Sequence, residues 1–351
     1  KKSMEILPIG PVIIIDTPGI DDTGNLGQLR VKKTMEILRK TDVAVLVSDA
    51  SSKTLSECEK DLIDEFKRNS TPFIIAFNKC DLAINRDNLN ENEIYVSALT
   101  GENVNELKEL IGKIAKTNTQ EKYILKDIIN PGDIVVLVTP IDEAAPKGRL
   151  ILPQQMTLRE ILDIGAVSVV CKDTELKKTL NALKYKPKLV ITDSQVFGKV
   201  NKIVPDSVPL TSFSILMARY KGELEELIKG AKQLSLLKDG DKVLISEGCT
   251  HHRQCNDIGT VKMPEWIRKY TSAEPVFSFT SGGEFPDNLS EYSLVVHCGG
   301  CMLNEKEMKS RIRICTENGV PMVNYGIAVA QMNSILKRSI DVFPTASKLI
   351  Q

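Results

Sequence analysis

Pro11-Val12-Ile13-Ile14-Ile15-Asp16-Thr17-Pro18-Gly19 is the stretch that decides the fold class. Its apolar, β-branched run reads as a buried strand. The run stops at Asp16, a carboxylate at the strand's carboxyl end, where Mg²⁺ can be held through water. Thr17 and Pro18 make the turn. Gly19 has no side chain, so its backbone N–H can approach a terminal phosphate. Taken alone, the string also fits an ordinary strand-end turn.

Further along, Phe73-Ile74-Ile75-Ala76-Phe77 is a second apolar strand, and Asn78-Lys79-Cys80-Asp81 follows it. Asp81 can accept two parallel hydrogen bonds from the N1–H and N2–H₂ edge of guanine, a donor pair that adenine lacks. Lys79 can lay its stem over the base, and Asn78 can tie neighbouring loops together. Ser97-Ala98-Leu99 follows the strand Ile94-Tyr95-Val96, where a backbone N–H can meet the guanine O6. Three strings in this order, each at a strand end, resemble the third, fourth and fifth signature motifs of translation-factor-like GTPases. The resemblance implies GTP with Mg²⁺, bound through Asp16, Thr17, Gly19, Asn78, Lys79, Asp81, Ser97 and Ala98, with Asp16 and Gly19 at the reacting phosphate.

Two departures accompany the resemblance. No Gly-x-x-x-x-Gly-Lys-Ser/Thr phosphate loop occurs in these residues. The sequence is therefore expected to lack the first strand, that loop and the first switch, and as it stands to bind GTP poorly and not hydrolyse it. The second departure is Ile20, where many such GTPases carry a water-orienting glutamine. An aliphatic side chain cannot orient water, so a monovalent cation or a partner protein would have to supply that function. Asp21-Asp22-Thr23-Gly24-Asn25 has the polar, glycine-bearing composition of a switch.

The rest of the chain repeats the strand–helix alternation that marks parallel, doubly wound sheets. Strands are expected at Val43–Val47, Ile134–Val138, Val167–Cys171, Leu189–Thr192, Val243–Ser246, Val276–Thr280, Ser293–Val296 and Pro321–Asn324. Helices are expected across Leu29–Arg39, Glu57–Arg68, Asn105–Thr117, Leu158–Ile164, Glu175–Leu183, Ser214–Leu236, Glu265–Tyr270, Glu305–Asn318 and Ala328–Ile340, with Gly319 as a C-terminal cap. Turn chemistry at Asn130-Pro131-Gly132-Asp133 and Lys238-Asp239-Gly240-Asp241 marks breaks. Three successive α/β domains with mainly parallel sheets follow: 1–120, the GTPase-like domain; 121–237; and 238–351. No internal repeat stands out in the sequence.

Over 351 residues, 46 basic side chains balance 46 acidic ones, which argues against a nucleic-acid surface or an anionic membrane as partner. No apolar run reaches the length of about 20 residues that a membrane span needs. The first residues have no apolar core after them, so no signal peptide is expected. Of eight cysteines, Cys58, Cys80, Cys171 and Cys315 stand isolated and read as packing residues. This pattern points to a reducing cytoplasm.

All three histidines lie beside cysteines, in Cys249-Thr250-His251-His252 and His297-Cys298-Gly299-Gly300-Cys301. Both runs follow strands of the third block, and parallel strand ends share one edge where ligand crevices form. The Cys-x-x-Cys spacing lets two thiolates bind one centre, and two glycines between them let the backbone curl. Three thiolates fit structural zinc with one histidine, or an iron–sulfur cluster with one variable position. A dithiol redox pair would leave Cys249 and the histidines unused. His251 and His297 are candidates for a fourth ligand or for supporting contacts. Cys255 and His252 read as solvated or supporting.

Cys-x-His followed at a distance by His-Cys-x-x-Cys, downstream of a GTPase-like domain, resembles the HydF family, the GTPases of [FeFe]-hydrogenase maturation. The similarity runs through Pro140-Ile141-Asp142, Ala145-Pro146-Lys147-Gly148-Arg149, Ile191-Thr192-Asp193-Ser194, Leu210-Thr211-Ser212-Phe213-Ser214, Asp257-Ile258-Gly259 and Val323-Asn324-Tyr325-Gly326. It implies that Cys249, Cys298 and Cys301 ligate a [4Fe-4S] cluster with an exchangeable fourth position. It also implies a scaffold or carrier for the diiron precursor of the hydrogenase active site. Such a carrier receives material from two radical maturation enzymes and delivers it to apo-[FeFe]-hydrogenase. The middle domain would form a homodimer, and GTP would act as a switch. The competing readings are a regulatory GTPase with a structural zinc domain and a tRNA-modifying GTPase.

Overall fold

Apolar strands alternate with amphipathic helices throughout the computed structural model, and the sheets are mainly parallel. The residues described are 2–6, 9–17, 34, 36–52, 54–82, 89–117, 122–141, 150–248, 257–286 and 288–350. They fall into two units, Lys1–Glu121 and Lys122–Gln351.

In the first unit, β1 (Lys2–Ile6) pairs antiparallel with β2 (Gly10–Ile14). The sequence does not announce β1, because its polar residues alternate with only two apolar ones. β2 carries the run Val12-Ile13-Ile14 but is not the buried strand expected. Ile13 is 66% and Ile14 45% exposed, since among the described residues β2 pairs with β1 alone. β3 (Ala44–Asp49), β4 (Phe73–Asn78) and β5 (Glu93–Tyr95) form a separate parallel sheet in that order. The helix Glu57–Arg68 starts at a capping box: Ser56 Oγ accepts from the Glu59 amide while the Glu59 carboxylate accepts from the Ser56 amide. Its Ile63 and Phe66 pack with Leu38, Ala44, Leu46 and Ile75. Most of the helix expected at 29–39 lies outside the described residues.

The second unit contains β6 (Ile134–Val138), β7 (Val167–Cys171), β8 (Leu189–Thr192) and β9 (Leu210–Ser212), then β10 (Lys242–Glu247), β11 (Val276–Ser281), β12 (Leu294–His297) and β13 (Met322–Asn324). One continuous hydrophobic core, running from Ile124 to Ala346, joins both groups. Each group is a four-stranded parallel sheet, in the orders β7-β6-β8-β9 and β11-β10-β12-β13.

These two sheets are one arrangement built twice, a structural kinship that stands beside the absence of an evident sequence repeat. The opening turns share their aspartate cap. Asp133 Oδ2 accepts from the Asn130 amide at 2.8 Å, and Asp241 Oδ2 accepts from the Lys238 amide at 2.8 Å. Gly132 and Gly240 both adopt the left-handed conformation, at φ +83° and +82°. Val138 faces Thr192 across the first sheet as Ser246 faces His297 across the second, and Thr192 faces Ser212 as His297 faces Asn324. Val208-Pro209-Leu210 then aligns with Val320-Pro321-Met322, and Ser212 with Asn324. Both of the latter cap the next helix: Ser212 Oγ accepts from the Ile215 amide (3.3 Å) and Asn324 Oδ1 from the Ile327 amide (2.8 Å). The kinship lies in a few turn, cap and core positions scattered among unrelated side chains.

Two long helices expected from apolar periodicity are each broken. The 214–236 segment divides at Gly222 into Phe213–Lys221 and Leu224–Leu234. The second piece lies so close to β13 that a Cβ on Gly230 would stand 2.0 Å from the Met322 carbonyl oxygen. The 328–340 segment divides into Tyr325–Met332 and Leu336–Ile340, with Ser334 at φ +58° between them. The helix expected from Leu158 begins earlier, at Leu152, because Pro153 is tolerated in a first turn. Gly319 takes the left-handed conformation (φ +67°) just past Glu305–Glu317.

Candidate functional site

In the first unit the described nucleotide residues sit at strand ends. Asp16 is exposed beyond the end of β2, with Thr17 beside it. Gly19 and Ile20 lie outside the described residues. β4 ends at Asn78, whose Oδ1 accepts from the Ala98 amide at 3.0 Å. This bond ties the loop after β4 to the loop after β5. Ser97 is buried, and its Oγ accepts from the Thr100 amide at 3.1 Å. Lys79 adopts φ +63°, and its Nζ donates to Asp49 Oδ2 at 2.6 Å at the end of β3. That ammonium, with Ser51, holds the Asp49 carboxyl well below the usual carboxylate range. Asp81 lies exposed in the short turn Cys80–Leu82. Cys80 is buried, as are Cys171 and Cys315, and Cys58 is exposed.

In the second unit β10 and β12 are neighbours, so their carboxyl ends leave the sheet side by side. Cys298 follows β12 directly. Its amide donates to the Ser246 carbonyl (2.9 Å), and its Sγ accepts from the Gly248 amide (3.1 Å) and the Gly300 amide (3.4 Å). Gly300 takes φ +60°, and a Cβ there would stand 2.6 Å from Met308 Sδ. The curl therefore requires glycine. Cys301 precedes the helix Glu305–Glu317, whose N-cap Asn304 accepts from the Glu307 amide (3.0 Å). Two N–H donors on one sulfur are the contacts that support a sulfur ligand. Cys249 and His251, the other half of the expected ligand set, lie outside the described residues, as do His252 and Cys255. Among the described residues no group of three or more His, Cys, Asp or Glu side chains is placed to hold a metal ion.

His297 is fully buried and uses both ring nitrogens. Nε2 stands 2.9 Å from Arg311 Nη1 and Nδ1 stands 2.7 Å from the Cys298 carbonyl oxygen. Arginine only donates and a carbonyl only accepts, so Nδ1 carries the hydrogen and Nε2 is the acceptor. Burial and the Arg311 charge lower its pKa to about 3, so the ring stays neutral. In this arrangement neither nitrogen is open to a metal. The sequence motif alone did not show this.

Two buried cations near the cysteines carry no motif. Arg311 donates to Glu307 Oε1 (2.7 Å) and the Gly282 carbonyl (2.6 Å) as well as to His297, and it lies over the Phe285 ring. Lys221 ends the helix Phe213–Lys221, whereas the sequence places it inside a longer expected helix over Ser214–Leu236. Its Nζ donates to the carbonyls of Gly300 (2.9 Å), Cys301 (2.7 Å) and Leu303 (2.7 Å). Glu247, at the end of β10, is buried, and the Tyr325 hydroxyl lies 3.4 Å from its Oε1.

Comparison with known proteins gives three matches along the chain. Residues 2–79 match a family model described as a 50S ribosome-binding GTPase, residues 124–222 the hydrogen maturase F dimerization domain, and residues 225–342 the hydrogen maturase F tetramerization domain. The two hydrogen maturase F models together cover more than half of the chain. The chain belongs to the hydrogen maturase F family. Curated relatives of its GTPase part include GTPase Era of Caldicellulosiruptor saccharolyticus, 26% identical over 49% of this chain and 64% of that protein. Others are tRNA modification GTPase MnmE of Legionella pneumophila (31%, over 33% and 26%) and of Heliobacterium modesticaldum (36%, over 30% and 24%). The chain thus covers less than two thirds of the length of each. The hydrogen maturase F models bound the second unit's two sheets separately, and their junction falls at Gly222, where the structure breaks the expected helix.

Proposed function

We propose that the chain is a maturation scaffold. In this reading Cys298, Cys301 and Cys249 hold a [4Fe-4S] cluster, and the protein carries the diiron precursor to apo-[FeFe]-hydrogenase after receiving it from two radical maturation enzymes. The observation that carries the reading is the Cys298 environment: a sulfur at a parallel strand end, accepting two backbone N–H bonds. Such donors stabilise a metal-bound thiolate. The bound cluster would supply an iron with one exchangeable ligand position.

The chain's own residues do the rest. Gly300 allows the loop to curl, Asn304 fixes the start of the following helix, and His297, held neutral by burial and by Arg311, orients the Cys298 carbonyl. His297 would then support the loop and not serve as fourth ligand. In the first unit Asp16, Thr17 and Gly19 would meet Mg²⁺ and the terminal phosphate. Asn78, Lys79, Asp81, Ser97 and Ala98 would meet guanine, so that GTP orders the segment after Gly19. The matched models are named for dimerization and tetramerization, which supports self-association. No described helix is long and apolar enough to cross a membrane. A reducing cytoplasm is the proposed location.

Anaerobic reconstitution followed by iron, sulfide and zinc analysis tests the reading. About four irons and four sulfides per chain are expected. Stoichiometric zinc without sulfide would replace it with a regulatory GTPase bearing a structural zinc site.

A further inference from the structure

The placement of Lys221 calls for a role. It is 8% exposed, and its ammonium has three hydrogens and three carbonyl acceptors, all on the loop that bears Cys298 and Cys301. A buried cation is costly unless a negative charge lies near it. Arg311 has such a partner in Glu307. Among the described residues, no carboxylate lies within ion-pair distance of Lys221.

The repeat within the second unit sharpens the point. Aligning Val208-Pro209 with Val320-Pro321 sets Lys221 opposite Asn333. Each residue closes its helix and reaches across to the other half. Asn333 faces Gly198, where an added Cβ would stand 2.5 Å from Oδ1. Asn333 is neutral and faces a segment without cysteine. Lys221 is charged and faces the loop with two.

We propose that Lys221 is a positioning residue for the cysteine-bound group. Its ammonium locks the Gly300–Leu303 backbone, and its charge balances the anionic cluster that three thiolates produce. It rests on the cluster reading above. A cluster gains negative charge on reduction, so a fixed buried cation favours the reduced form. A role confined to holding the backbone would leave that balance unmoved.

The test uses the full chain with Lys221→Gln, Lys221→Met and Lys221→Arg, reconstituted anaerobically and titrated potentiometrically with EPR detection. Iron-free variants are expected to keep cooperative melting. The two neutral variants should show about a tenfold lower ratio of reduced to oxidised cluster at a fixed potential. That ratio corresponds to about 59 mV for a one-electron couple. Lys221→Arg should stay within about threefold of the parent. Folded neutral variants that no longer retain iron would equally support the positioning role. An unchanged midpoint in a loaded neutral variant would overturn the proposal. So would an Arg variant shifted as far as Gln, or iron-free neutral variants that no longer fold. A parent protein that takes up no cluster would instead sink the reading on which the proposal rests.

Discussion

The two halves of the second unit share a scaffold and differ at one edge. Both open with an aspartate-capped turn, run four parallel strands in the same order, and close with a capped helix. At the carboxyl edge they part. Thr192-Asp193-Ser194 leaves the first sheet where His297-Cys298-Gly299 leaves the second, and counting on from Val138 and Ser246 pairs Ile141 with Cys249 in the sequence. The scaffold sets where ligands can converge, and a handful of strand-end residues determines whether they do.

Exchanging residues between the halves tests that comparison. Cys298→Asp brings in the residue of the other half, and iron content after reconstitution should fall to background while the melting transition persists. The reverse change, Asp193→Cys, should bind no iron beyond that of the parent, since no second thiolate stands at Ile141 or Val196. Arg311 has the next largest effect. Arg311→Met leaves the His297 acceptor and the Glu307 carboxylate without their partner, a loss of about 3–5 kcal/mol by the cost of breaking a buried pair. Chemical denaturation of the iron-free protein measures it. The smallest effect tests the kinship itself. Asp133→Ala and Asp241→Ala should each cost about 1 kcal/mol. The second should cost slightly more, because Asp241 also accepts from Ser293 Oγ (3.0 Å). If one turn proved dispensable and the other essential, the two halves would not be equivalent scaffolds.

Much of the fold was legible because continuous apolar runs stand between turn residues. Ile134–Val138, Val167–Cys171 and Leu189–Thr192 appear where the sequence places them. β1 and β9 were missed: the first is half polar, and the second is three residues directly joined to a helix. The repeat stayed hidden because hydrogen-bond register, not identity, carries it. At the site, Cys298, Cys301 and His297 declare themselves by spacing. Lys221 and Arg311 do not: Lys221 acquires its role only when its helix reaches the loop of the other half, and Arg311 only when its helix packs beside Ser246 and His297 at the ends of β10 and β12. The state of His297 was equally invisible, because its acceptor role depends on that same arginine.

The hydrogen bonds between the two halves also bear on cooperativity. Asn324 Nδ2 donates to the Ser214 carbonyl (3.0 Å), and Arg338 Nη1 and Nη2 donate to the Asn201 side chain (2.7 Å) and the Val204 carbonyl (2.9 Å). Each half thus completes the other's hydrogen bonding. Neither can open locally without uncovering part of its neighbour's core, so the pair should unfold as one foldon. A ligand bound beside Cys298 and Cys301 would then raise the melting temperature of the half that carries neither residue.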